Sequence, residues 1–243
     1  MSTSSQQGKV ALVTGAASGI GRAVADRLSK DGMDVLSVDL KPDPDGPGTP
    51  YEADLTNAAA NEAAVDEALT RFGRLDVVVA NAGIQHVSPI EDFPVDKWNT
   101  IVSLLLTSPF VLAKYSWPAL KDSGAGRFIA IASVHGLVAS PYKIAYVSAK
   151  HGVVGLCKAL ALEGAGDGIT ANAVCPGSTR TPILDASAAV YGLDSPEEFA
   201  HQQLIERLLL PDEPAALIAW LCAPEASGVT GAALSVDGGL TTS

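Results

Sequence analysis

Short apolar runs alternate along the chain with longer stretches whose apolar positions recur every three to four residues. The runs predict strands at 9–14, 34–39, about 51–53, 75–80, 127–132, 169–174 and 233–236, and the helical spacing predicts helices at 19–31, 57–72, 96–121, 145–164 and 212–223. Strand and helix in alternation is the pattern of an α/β fold, a doubly wound parallel sheet with helices on both faces. Residues 41–50 hold too many prolines and glycines for a helix, so a loop should replace one there. No linker divides residues 1–243, which are read as a single domain with a lid over the substrate at about 183–211. Within that lid Ser195, Pro196, Glu197 and Glu198 are helix-start signals, predicting a helix over 195–208. Its apolar Phe199, Leu204, Ile205 and Leu208 face either the pocket or the body of the domain.

The first strand runs directly into Gly15, Ser18, Gly19, Ile20 and Gly21, and a helix follows at once. Glycines there let the backbone turn tightly and approach a pyrophosphate, held by free amides and the positive end of the helix. Asp39 closes the next strand, eighteen residues beyond Gly21, where it can accept hydrogen bonds from an adenosine ribose. This is the Rossmann-type arrangement. A carboxylate at that place disfavours a 2′-phosphate, and neither Ala16, Ala17 and Ser18 nor Leu40 supplies a compensating cation, so NAD is expected over NADP. Lys41 alone argues the other way.

Tyr146 and Lys150 stand four residues apart in a predicted helix, with Ser133 thirteen positions before Tyr146. A phenol with a pKa near ~10 is a poor acid or base at neutral pH unless a cation stabilises the phenolate. Residues at i and i+4 share a helix face, so Lys150 is expected to lower the Tyr146 pKa, while Ser133 hydrogen-bonds the same substrate oxygen.

The formal net charge of −11 argues against nucleic acid or an anionic membrane as partner. Cys157, Cys175 and Cys222 are odd in number and lack CxxC spacing, predicting reduced core thiols and no metal site. The polar start and the lack of an apolar run near ~20 residues suggest a cytoplasmic protein.

Taken in order, Thr14 to Gly21, Asp54 with Leu55, Asn81 to Gly83, Ser133, Tyr146 with Lys150, Pro176 with Gly177, and Val236 to Gly239 resemble the short-chain dehydrogenase/reductase family over essentially the whole chain. The resemblance implies that Asp54 and Leu55 meet the adenine of the cofactor. Asn81, Ala82 and Gly83 would line the adenosine ribose, Tyr146 and Lys150 would reach the nicotinamide ribose, and Pro176, Gly177, Thr179 and Thr181 would border the nicotinamide amide. Around residues 81–94, 131–138 and 143–156 the sequence is similar to D-3-hydroxybutyrate dehydrogenases, in which the residues matching Gln85, His135 and Lys143 bind the substrate carboxylate. His86 and His151 read as scaffold and His201 as surface.

Three positions depart from those patterns. Leu105 stands where the family places an asparagine that organises water leading to the lysine. Ser178 replaces a tryptophan and Ser187 a glutamine of the hydroxybutyrate enzymes, and both changes are expected to enlarge the pocket. Residues 178–182 resemble the matching turn of dihydrodiol dehydrogenases, so a cyclic alcohol or dihydrodiol stands beside a 3-hydroxy acid as substrate. Leu105 also motivates a reading of another class, a dinucleotide-binding sensor or scaffold with weak turnover. Family members are commonly tetramers, and apolar Val153, Leu156, Leu160 and Leu162 on more than one helix face fit a homotetramer.

Overall fold

In the computed structural model, which describes residues 6–242, the seven strands form one parallel sheet in the order β3-β2-β1-β4-β5-β6-β7. The strands are β1 (Val10–Thr14), β2 (Asp34–Asp39), β3 (Thr49–Glu52), β4 (Val77–Ala80), β5 (Arg127–Ile131), β6 (Thr170–Pro176) and β7 (Ala233–Val236). The central strands are buried throughout, as parallel strands covered on both faces must be. On one face α1 (Gly19–Lys30) packs with a late helix, Asp212–Cys222, around Val24, Leu28, Ile218 and Leu221. The opposite face is covered by α2 (Ala58–Phe72) and two later helices around Leu12, Leu36, Leu112, Phe128 and Cys157. The order reverses direction between β1 and β4, so their C-terminal ends splay apart and leave a crevice where such sheets take their ligands.

The 96–121 segment is not one regular helix. It is α3 (Val95–Val102), a π-helical turn at Ser103–Thr107, and α4 (Ser108–Asp122). Pro109 has no N–H to return to the carbonyl one α-turn earlier, which is that of Leu105, and the wider turn absorbs the missing bond. After it comes α5 (Ile144–Gly164), which carries Tyr146 and Lys150.

The segment expected to form a lid, 183–211, differs more. Its helix is α6 (Pro182–Tyr191), started by Thr181, whose side chain accepts from Leu184 N, with proline in the first turn and stopped by left-handed Gly192 at φ +66°. At Ser195 the expected cap is present as a full capping box, but the segment that follows is a 3-10 helix ending at Gln202. The chain then turns to pair with the loop after β6: Leu209 N donates to Ser178 O and Arg180 N to Leu209 O, both at 2.9 Å. That pairing replaces the helical bonds expected over 203–208. Phe199 and Leu208 are buried beneath α6, whereas Leu204 and Ile205, expected to face the pocket or the core, are exposed. The last helix is α7 (Asp212–Cys222). All three cysteines are free and buried, as expected of core thiols.

Candidate active site

The crevice is a cleft of about 650 Å³ running from the glycine turn to α6. At one end β1 hands the chain to α1 through Gly15 at φ +66° and Gly19 at φ +55°, conformations that side chains resist. A Cβ on Gly21 would lie 2.1 Å from Gly15 O, so only glycine lets the turn close on itself. The turn is pinned from β4: Asn81 Nδ2 donates to Thr14 O at 2.9 Å and to Gly15 O at 3.2 Å. Thr14 Oγ1 in turn accepts from the amides of Asn81 and Ala82. Asp39 takes Ala17 N at 3.0 Å and Lys41 N at 3.1 Å, tying the turn to β2 with a carboxylate in the cleft wall. Ser18, at the N-cap of α1, makes no side-chain cap bond. An anion-favouring helix start, close backbone and a carboxylate in the wall together fit a dinucleotide.

Ser133, Tyr146 and Lys150 meet at the middle of the cleft. Ser133 follows β5 and sits buried, its Oγ accepting from His135 N at 3.1 Å. Lys150 is buried, donates to Ile131 O at 2.5 Å, and holds its Nζ 5.5 Å from the Tyr146 ring centre. Burial draws the Lys150 ammonium down to about 8. Burial also raises the Tyr146 phenol above its ordinary value, and the Ser133 hydrogen bond opposes the rise. The direction is opposite to the lowering expected from Lys150, whose ammonium is turned to the Ile131 carbonyl. Leu105 is buried with Ile101, Ala145 and Ala149 against Tyr146, so the position that resemblance gives to an asparagine is an apolar wall.

At the far end lie Gln85, His135 and Lys143. Gln85 Nε2 donates to Ser187 Oγ at 2.6 Å, and Ser187 Oγ donates to Ile183 O at 2.7 Å. Buried Ser187 therefore anchors Gln85 as well as leaving room. His135 Nδ1 is buried without a hydrogen-bond partner among the described residues, and its imidazole is pulled down to about 4, first by burial and then by the charges of Lys143 and His151. Lys143 is 8% exposed and forms no salt bridge among the described residues, and burial lowers its pKa. Its Nζ lies 5.2 Å from the centre of the Tyr191 ring.

The cleft thus brings together Gly15, Ser18, Gly19, Ile20, Asp39, Asn81, Gly83, Pro176, Gly177, Thr179 and Thr181 with both the catalytic and the substrate candidates. Gly21 and Ala82 stand behind its wall as supports of the turn. Leu55 is buried in the core and Asp54 is exposed with its carboxylate taken by Thr56, so neither borders the cleft. His86 packs edge-on to Phe93, His151 is bonded to Val147 O and His201 is exposed. Tyr191 went unnoticed in the sequence, since an aromatic in a lid carries no signal until a helix places it over Lys143.

Residues 15–241 match the family described as Enoyl-(Acyl carrier protein) reductase. The D-beta-hydroxybutyrate dehydrogenase of Cupriavidus necator is 40% identical, over 96% of this chain and 97% of its own. Among solved structures, ligand-free Thermoplasma acidophilum aldohexose dehydrogenase superposes with a TM-score of 0.95 at 32% identity, covering 99% of this chain and 97% of that one. The Brucella melitensis 3-ketoacyl-(acyl-carrier-protein) reductase in complex with NADH does so with a TM-score of 0.88 at 32% identity, over 98% and 100%. With the dinucleotide cleft and the serine, tyrosine and lysine on its floor, these likenesses establish that the chain belongs to the short-chain dehydrogenase/reductase family, enzymes that interconvert alcohols and ketones with a nicotinamide dinucleotide.

Proposed function

We propose that the enzyme uses NAD to oxidise the secondary alcohol of a 3-hydroxy acid, D-3-hydroxybutyrate or a bulkier analogue, or reduces the matching keto acid. The observation that carries this reading is Lys143, a buried ammonium without a carboxylate partner among the described residues, in the same cleft as Ser133, Tyr146 and Lys150. A buried cation is costly unless paired, and a substrate carboxylate supplies the pair. Gln85 adds an amide donor and His135, neutral at physiological pH, an imidazole nitrogen.

With the acid end fixed, the carbinol oxygen falls to Ser133 and Tyr146. Ser133 hydrogen-bonds it as negative charge develops, and Tyr146 takes its proton in oxidation or returns it in reduction. Lys150 keeps a positive charge beside that proton and holds the cofactor ribose. The nicotinamide dinucleotide supplies, when bound, the hydride acceptor or donor. Asp39 supports NAD, because a 2′-phosphate beside its carboxylate would set like charges together. The similarity to hydroxybutyrate dehydrogenase supports an acid substrate. Assembly as a homotetramer is part of the same proposal, supported by Leu162 on α5 and Phe110 on α4, both exposed.

A cyclic alcohol or dihydrodiol is the competing substrate, favoured by the room beside Ser178 and Ser187. The test is kcat/KM with NAD for D-3-hydroxybutyrate, a longer 3-hydroxy acid and a neutral cyclic secondary alcohol. An acid should be the best substrate. A neutral alcohol in first place would overturn the carboxylate reading, and no turnover with any of them would favour a sensor over an enzyme.

A further inference from the structure

The helix at the far end of the cleft, α6, touches two of the three candidate carboxylate donors, Gln85 and Lys143, with one face. Ser187 and Tyr191 are four residues apart on it and therefore stand one above the other. Ser187 accepts from Gln85, which comes from the loop after β4, and Tyr191 lays its ring over Lys143, which comes from the start of α5. The ring is itself fixed. Phe199 meets it edge-on with centres 6.1 Å apart, and its hydroxyl donates to Pro141 O at 3.4 Å. Its face is thus the surface offered to an ammonium that burial has stripped of water. The negative face of an aromatic ring attracts such a cation, and the attraction grows as water is excluded.

We infer that Tyr191 is a positioning residue for anionic substrates, its ring holding the Lys143 ammonium in the cleft wall so that docking of α6 assembles the acid-binding end of the site. This rests on the reading that Lys143 receives the substrate carboxylate. It assigns α6 a specificity role beyond excluding water, because a neutral alcohol has no use for a cation held there.

The experiment compares the full-length unmodified enzyme with Tyr191→Leu, Tyr191→Phe and Lys143→Ala. Each is assayed with NAD on cyclohexanol and on whichever of D-3-hydroxybutyrate and a longer 3-hydroxy acid turns over faster. Tyr191→Leu should raise KM for the acid about tenfold, the scale of a largely desolvated cation–π contact, with the acid kcat retained and a far smaller rise in KM for cyclohexanol. Tyr191→Phe keeps the ring and should restore the acid KM. If Lys143→Ala raises the acid KM but Tyr191→Leu does not, the role of Tyr191 falls and the carboxylate reading stands. If Lys143→Ala leaves the acid KM unchanged, the carboxylate reading itself falls and takes this inference with it. Equal losses on both substrates with Tyr191→Leu, or failure of Tyr191→Phe to rescue, would mark the residue as structural.

Discussion

The cofactor end of the cleft is held by backbone and by short polar side chains that bond to it, with Asn81 and Thr14 clamping a glycine turn that a single Cβ would disrupt. The end proposed for the substrate is held by long side chains: Gln85 and Lys143 meet α6, and His135 Nδ1 has no hydrogen-bond partner among the described residues. One end is specified mainly by the shape of its backbone and the other by buried polar side chains. A shape-specified site serves one invariant ligand across many enzymes, whereas buried, incompletely paired polar groups are what choose among substrates, because each costs free energy until the right ligand arrives.

The seam between the ends gives the largest expected effect. Tyr146→Phe keeps the ring but removes the transferable proton, so kcat should fall by at least ~10²-fold, while NAD binding, measured by fluorescence titration, should survive. Near-normal turnover would assign the proton to another residue.

The substrate end should reveal its buried charges through pH. His135 is held down at about 4 in the folded protein, against an ordinary 6.5. The unfolded chain therefore binds the proton first as pH falls, and the stabilisation due to the neutral imidazole, full above 6.5, is lost between about 6.5 and 4. A shift of that size corresponds to about 3–4 kcal/mol in full, of which about 2–3 kcal/mol falls between pH 7 and 4.5. Denaturant melts at pH 7 and 4.5 should show the His135→Gln protein losing less stability over that interval than the unmodified one, by roughly this amount. Identical losses would place the imidazole in water.

The cofactor end should show a smaller effect, confined to selectivity. Asp39→Asn removes the charge while keeping an acceptor for Ala17 N, and the preference for NAD over NADP should drop by about tenfold, or ~1.4 kcal/mol. An unmodified enzyme with equal kcat/KM for both cofactors would remove Asp39 from the account.

The same contrast explains what the sequence revealed. The strands and the glycine turn were legible because buried parallel strands need unbroken apolar runs and the turn needs glycine at fixed places. Ser133, Tyr146 and Lys150 were legible as types at a spacing. Their electrostatics were not, since the rise in the Tyr146 pKa comes from burial, which only the fold sets. In the 183–211 segment an α-helix begins at Thr181 with Pro182, where the sequence pattern predicts none, whereas the start signals at Ser195 with Pro196 begin only a 3-10 helix. The second loses its helical bonds to the pairing of Leu209 with residues 178–180, a tertiary contact that local signals do not contain. Tyr191 became visible only with α6 in place.

The central claim, that the far end of the cleft receives a carboxylate while Ser133 and Tyr146 receive the carbinol, is tested most directly by a crystal structure of the Tyr146→Phe protein. It should hold NAD and the best hydroxy acid. The account predicts a carboxylate oxygen within about 2.7–3.2 Å of Lys143 Nζ, with the hydroxyl against Ser133 Oγ. A substrate whose hydroxyl reaches Ser133 but whose carboxylate points away from Lys143 into solvent would contradict it.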